Sequence, residues 1–314
     1  MNQTAFLRFS KIVLFTVFLV ILAGGVVRMT QSGMGCPDWP RCFGRWIPPT
    51  DESQLPANYK QLYAFKYVDT SFNVYHTWVE YFNRLLGMIL GILLLIQFIW
   101  SFQYRKRNIK IMYLCGATLL LTGFQGYLGS KVVEANLEVV KITIHMLVAL
   151  IIAALSLTII TMVSPERTLI ENKKLKTNTL LIIILLVVQI VLGTQVRQQI
   201  DDVSKSFDFN HRDQWVSHLN AVFYIHRSFS VIIAGLCFYV FIKYKYLKVF
   251  KFNNYLMLFA VFANIILGII MAYFNVPALA QPLHLLFSSI LLMTLFYNWL
   301  NTTSAMSQKT SVSQ

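Results

Sequence analysis

The chain has 314 residues, 56% of them hydrophobic and only 13% charged, with a mean hydropathy of +0.58. Soluble domains carry about 25% charged residues, so this composition excludes a soluble enzyme and predicts a membrane protein. The net charge of +14 would suit nucleic acid, but its distribution follows membrane topology instead.

Apolar runs of about 20 residues, enough to cross a bilayer as a helix, recur at roughly 11–29, 76–101, 111–130, 140–163, 178–197, 220–242, 253–274 and 281–300. The first run is long and has no small-x-small cleavage site after it, so it is expected to remain as a span. Next comes a large loop with the segment GMGCPDWPRCFGRWIPP. The second span opens on HTWVEYFNRLLG, where helical spacing puts Glu80, Asn83 and Arg84 on one face, with His76 one turn further back. His145 lies in the fourth span, His226 and Arg227 in the sixth, and His284 in the eighth. Cys115 and Cys237 fall inside spans and read as packing residues. The tail from 302 to 314 is polar and expected to be disordered.

Basic residues collect on one side: Arg8, Lys11, Arg105, Lys106, Arg107, Lys110, Arg167, Lys173, Lys174, Lys176, Lys243, Lys245, Lys248, Lys251 and Lys309, against only Glu166 and Glu171. The positive-inside rule then puts both termini in the cytoplasm of a plasma-membrane protein, with the long loops after the first and fifth spans outside. Cys36 and Cys42 share the first of these loops. An oxidising compartment predicts a disulfide between them, either as a staple or as a redox-active pair. His211 and His218, in the second loop, read as solvated.

The chain also repeats itself. ILAGGVVRMTQSG resembles IVLGTQVRQQIDD, aligning Arg28 with Arg197. EYFNRLLGMILGIL resembles FYIHRSFSVIIAGL, aligning Asn83 with His226 and Arg84 with Arg227. VVKITIHMLVALI resembles ALAQPLHLLFSSI, aligning His145 with His284. An even number of spans per half keeps both halves in one orientation. The predicted fold is an all-α integral membrane protein of eight transmembrane helices. They form two parallel-repeat four-helix bundles, residues 1–165 and 176–301, with pseudo-two-fold symmetry.

Ionisable groups inside spans are costly and mark function. His226 and His284, at matched depth on facing helices, suit axial ligation of haem iron. Zinc is the competing reading, but it wants a third or fourth ligand, and the second half's spans hold no carboxylate. Arg84 and Arg227 are placed to meet internal carboxylates such as haem propionates, although Glu80 is itself a partner for Arg84. For Arg28 and Arg197, snorkelling to headgroups is an equal alternative.

On GGVVRMTQSGMGCPDWPRCFGRWIPP, the Glu80-x-x-Asn83-Arg84 element and the histidines of the fourth, sixth and eighth spans, the chain resembles the haem A synthase family. These membrane oxidoreductases convert haem O to haem A for cytochrome oxidase. The resemblance covers all eight spans, and SGMGCPDWPRCFG is its most specific part. It implies a haem b held by His226 and His284 in the second half, and the substrate haem in the first half with His145 as an axial ligand. It also implies Glu80 as the catalytic glutamate beside the methyl group that is oxidised, and a role in electron transfer for Cys36 and Cys42. Asn83 departs from the family, which has a second histidine there. An amide oxygen is a poor ligand for haem iron, so the resemblance leaves this site five-coordinate through His145 or completed by His76.

A carboxylate in a low-dielectric bundle is suited to accept or relay protons or to stabilise developing positive charge. A structural ion pair with Arg84 is the plainer role for Glu80. Haem O synthase as donor of haem O, a quinone as electron acceptor and a homo-oligomer are compatible with the reading. The runner-up is a di-haem cytochrome b that only transfers electrons. A transporter is disfavoured because matched helix breaks are lacking. The prenyltransferase that makes haem O needs aspartate-rich motifs, and aspartate occurs here only in loops.

Overall fold

A computed structural model describes residues 2–63, 72–134 and 138–304. Its described residues include eight helices long and apolar enough to cross a membrane. In chain order the spans are Gln3–Met29, Val74–Ser101, Ile109–Glu134, Val139–Val163, Lys173–Ser206, Ala221–Tyr244, Lys251–Tyr273 and Ala280–Leu300. The all-α membrane fold read from composition is therefore present.

Asparagine starts four of these helices. The side chains of Asn2, Asn73, Asn172 and Asn220 accept from the backbone N–H groups of Ala5, His76, Leu175 and Val222, at the heads of spans 1, 2, 5 and 6. Each cap satisfies a donor that the first helical turn leaves unpaired, worth about 1 kcal/mol.

Span 1 packs on spans 2 and 4, and span 3 packs on both of those, so the first four helices close a ring. Spans 5, 6, 7 and 8 close a second ring with the same order of neighbours. The rings meet where span 8 lies against spans 1 and 4 and where span 4 lies against span 5. Apolar side chains such as Val17, Ile21, Ala153 and Leu292 fill the core between the helices, and small and polar side chains join them at particular crossings. A Cβ on Gly25 of span 1 would lie 3.0 Å from the Cβ of Pro282 of span 8, so the approach there needs a glycine. Thr143 and Thr194 join spans 4 and 5 at 2.9 Å. The amide of Gln97 donates to Ser10 at 2.9 Å between spans 2 and 1, and Asn253 donates to the Thr294 carbonyl at 2.8 Å between spans 7 and 8.

Several boundaries move from their sequence positions: span 1 begins at Gln3 instead of 11, and span 3 runs to Glu134 instead of 130. The fifth helix runs to Ser206 instead of 197, which puts Arg197 more than two turns inside its end. Thr302 and Thr303, read as part of the disordered tail, instead pair in parallel with Ile170 and Glu171. The backbone of Asn301 and Thr303 satisfies the amides of Ile170 and Asn172 at 2.9 and 3.0 Å. The remainder of that tail, 305–314, lies outside the described residues.

Candidate functional site

His226 and His284 meet across the second ring, their imidazole centroids 6.4 Å apart and their planes inclined by 62°. Two metal–nitrogen bonds of about 2 Å plus about 1.1 Å from each nitrogen to its ring centroid span roughly 6 Å, so the separation has room for one iron atom between these side chains. Among the described residues no group of three His, Cys, Asp or Glu side chains could hold a metal ion. That argues against the zinc reading. A haem would bring its own ring nitrogens and ask of the protein only a pair of donors, a demand that two facing imidazoles fit. The Nδ1 atoms of His145, His226 and His284 are buried with no hydrogen bond.

Each of these rings rests on a glycine of a neighbouring span. A Cβ on Gly193 would come within 3.1 Å of the His226 ring, one on Gly129 within 3.4 Å of His145, and one on Gly268 within 3.9 Å of His284. One helical turn before each glycine stands an amide: Gln189, Gln125 and Asn264. Gln189 donates to the His226 carbonyl at 2.9 Å and Gln125 to the His145 carbonyl at 2.8 Å. At the third position Ser288 makes the link, bonding both the His284 carbonyl at 2.8 Å and Oδ1 of Asn264 at 2.9 Å. Glycine gives the ring room, and the amide or hydroxyl fixes the helix that carries it. Sequence reasoning found the histidines and missed these supports, although their four-residue spacing was visible.

Glu80 is buried, with 4% of its surface exposed, and both carboxylate oxygens are engaged. Oε1 pairs with Arg84 at 2.5 Å, and Oε2 accepts the Cys36 backbone N–H at 2.7 Å. Arg84 also donates to the carbonyls of Asp38, Arg41 and Cys36 at 2.6, 3.0 and 3.1 Å. One helical i,i+4 pair thus pins the whole cysteine loop onto span 2. Cys36 and Cys42 form the disulfide read from the sequence. Gly35 presses so closely on span 2 that a Cβ there would sit 2.3 Å from the His76 carbonyl oxygen. His76 itself shares a hydrogen bond with Ser32 at 3.0 Å.

The remaining arginines separate into two situations. Arg28 and Arg197 share one carboxylate, that of Asp201, at 3.0 and 2.7 Å. Arg197 also donates to the Arg28 backbone carbonyl at 3.1 Å. Neither the headgroup nor the propionate alternative had included Asp201, which the i,i+4 spacing from Arg197 would have suggested. Arg227 is exposed, lies over the rings of Phe223 and Tyr224, and makes no salt bridge among the described residues. Asn83 is half-buried, and its Oδ1 has no hydrogen-bond partner.

The chain is an eight-span helical membrane protein with half-buried histidines in both rings, two of which, His226 and His284, face each other in the second. Comparison narrows the class. The model of the cytochrome oxidase assembly protein family matches residues 8–296. Haem A synthase of Flavobacterium psychrophilum is 25% identical, over 90% of this chain and 94% of its own length. That of Ehrlichia canis is 26% identical over 85% and 84%. The Shewanella oneidensis haem A synthase reaches 30% identity over 58% of this chain and 54% of its own. The chain belongs to the cytochrome oxidase assembly protein family, in agreement with the sequence resemblance, and is an oxidoreductase.

Proposed function

We propose that this protein oxidises a methyl group of haem O to a formyl group, through hydroxylated intermediates, giving haem A for cytochrome oxidase. The observation that carries the reading is the His226–His284 pair at 6.4 Å in one ring, with His145 and the Glu80–Arg84 pair in the other. In this reading His226 and His284 would hold a haem b, which would supply a one-electron redox centre. Haem O occupies the first ring as substrate, with His145 toward its iron. Asn83 and Arg84 flank that site, and Arg227, which has no acid partner among the described residues, is placed to meet a propionate in the second ring.

The residues of the chain then divide the work. Gln125 and Gly129 hold His145 in its orientation. Glu80 is an anchored acceptor: Arg84 and the Cys36 amide fix it, and it either takes the protons released at each oxidation stage or stabilises positive charge developing on the methyl carbon. The electrons leave to an acceptor such as a quinone, and haem O synthase is the matching upstream donor. The two rings act as a substrate half, residues 1–165, and a haem b half, residues 176–301. The positive-inside charge pattern supports cytoplasmic termini and haem sites near the outer face. The common order of neighbours within the rings supports the parallel repeat.

The deciding experiment uses protein purified from cells that also make haem O, with its non-covalent haems extracted and separated chromatographically. Haem b together with haem O, haem A or a hydroxylated intermediate is the expected result. Haem b alone, at two per chain, would replace this reading with the di-haem electron-transfer cytochrome.

A further inference from the structure

Three of the helix pairs in the two rings share one device, a histidine on one span laid against a glycine of the next. The fourth pair, spans 1 and 2, keeps only part of it. Gly24 precedes Arg28 by one turn as Gly193 precedes Arg197, and span 1 packs on span 2 as span 5 packs on span 6. Yet the amide that stands one turn before each of the other glycines is replaced by Val20, and Asn83 takes the position matched by His226. A Cβ on Gly24 would meet no atom within 4 Å, whereas the other three glycines each face an imidazole ring. By the repeat alignment Asn83 stands toward Gly24 as His226 stands toward Gly193, and its Oδ1 is buried and bonded to nothing.

The missing part is one imidazole ring. Where packing around an absent ring does not collapse, the space accepts a molecule of the ring's size and polarity. A buried acceptor without a partner favours a guest that brings a donor hydrogen. We infer that the space bounded by Gly24 and Asn83 is a binding site for a small exogenous ligand of the substrate haem's iron, imidazole-sized or smaller and carrying an N–H or O–H group. The inference rests on the proposed function, because it needs a haem beside His145. It adds that this chain leaves one axial position open to molecules from outside, where a histidine would close it.

The test is a spectroscopic titration of the purified protein carrying both haems, with imidazole on the oxidised form and carbon monoxide on the reduced form. Imidazole is expected to shift the absorption of one haem per chain and leave the His226–His284 haem unchanged. In Asn83→His the same haem should be retained, with imidazole affinity lower by at least about tenfold. In Gly24→Leu, imidazole binding should be lost while the smaller carbon monoxide still binds. A protein that holds both haems but responds to neither probe overturns the inference, as does Asn83→His responding like the unaltered chain. His145→Ala separates the two claims: it should remove the responding haem. If the responding haem survives that substitution, or the unaltered chain carries only the His226–His284 haem, the first-ring assignment itself fails.

Discussion

Replacing the glycines that face histidines with alanine should produce a graded series whose order follows from distance. Each substitution gains helix propensity, roughly 0.5–1 kcal/mol for a glycine in a helix interior. At Gly193 the new Cβ would lie 3.1 Å from Cε1 of His226, inside normal contact, so the ring or helix must shift by a few tenths of an ångström. Overpacking of this kind costs about 1–3 kcal/mol, which outweighs the propensity gain and disturbs the 6.4 Å spacing to His284. At Gly129 the contact would be 3.4 Å, at Gly268 it would be 3.9 Å, and at Gly24 nothing lies within 4 Å. Gly193→Ala should therefore lose haem from the second ring, roughly five- to thirtyfold in affinity for a net 1–2 kcal/mol. Gly129→Ala should be intermediate, and Gly268→Ala and Gly24→Ala should keep haem and melt no lower than the parent. Haem content per chain and thermal unfolding in detergent measure both effects. Greater haem loss in Gly24→Ala or Gly268→Ala than in Gly193→Ala would refute the cradle argument.

Glu80→Gln removes the charge partner of Arg84 while keeping its shape; it should keep the His226–His284 haem and stop haem A formation, and full turnover would take Glu80 out of the chemistry. Asp201→Asn leaves Arg28 and Arg197 without their shared carboxylate. Losing hydrogen bonds to charged groups costs about 1.5–3 kcal/mol, so a clear fall in thermal stability is expected, and an unchanged melting curve would mean the cluster is solvated. Cys42→Ser opens the disulfide of the loop that Glu80 and Arg84 pin. For so short a loop the loss is about 2 kcal/mol, and protease cutting within 36–46 should accelerate; resistance equal to the parent would show that the pins on span 2 suffice.

The sequence alone determined the features that depend on solvent and local spacing. Hydrophobic run length gave the eight helices, because a bilayer leaves the backbone no other way to satisfy its hydrogen bonds. The intramembrane histidines stood out because polar groups there are costly, and Glu80 and Arg84 because helical spacing puts them one turn apart. The cysteines stood out because they share one loop. The helix ends were less legible: span 5 continues past Arg197 through QQIDDVSKS, whose polar residues ended the apolar run without ending the helix. Only the tertiary structure could decide which distant groups meet. It brought Asp201 to both Arg28 and Arg197, and it used both oxygens of Glu80, one on a backbone amide of a loop more than forty residues away. It also set glycines of neighbouring spans under three histidines and left Gly24 open. Such contacts depend on how close two helix axes come and how each is rotated, and no single helix's residues specify either.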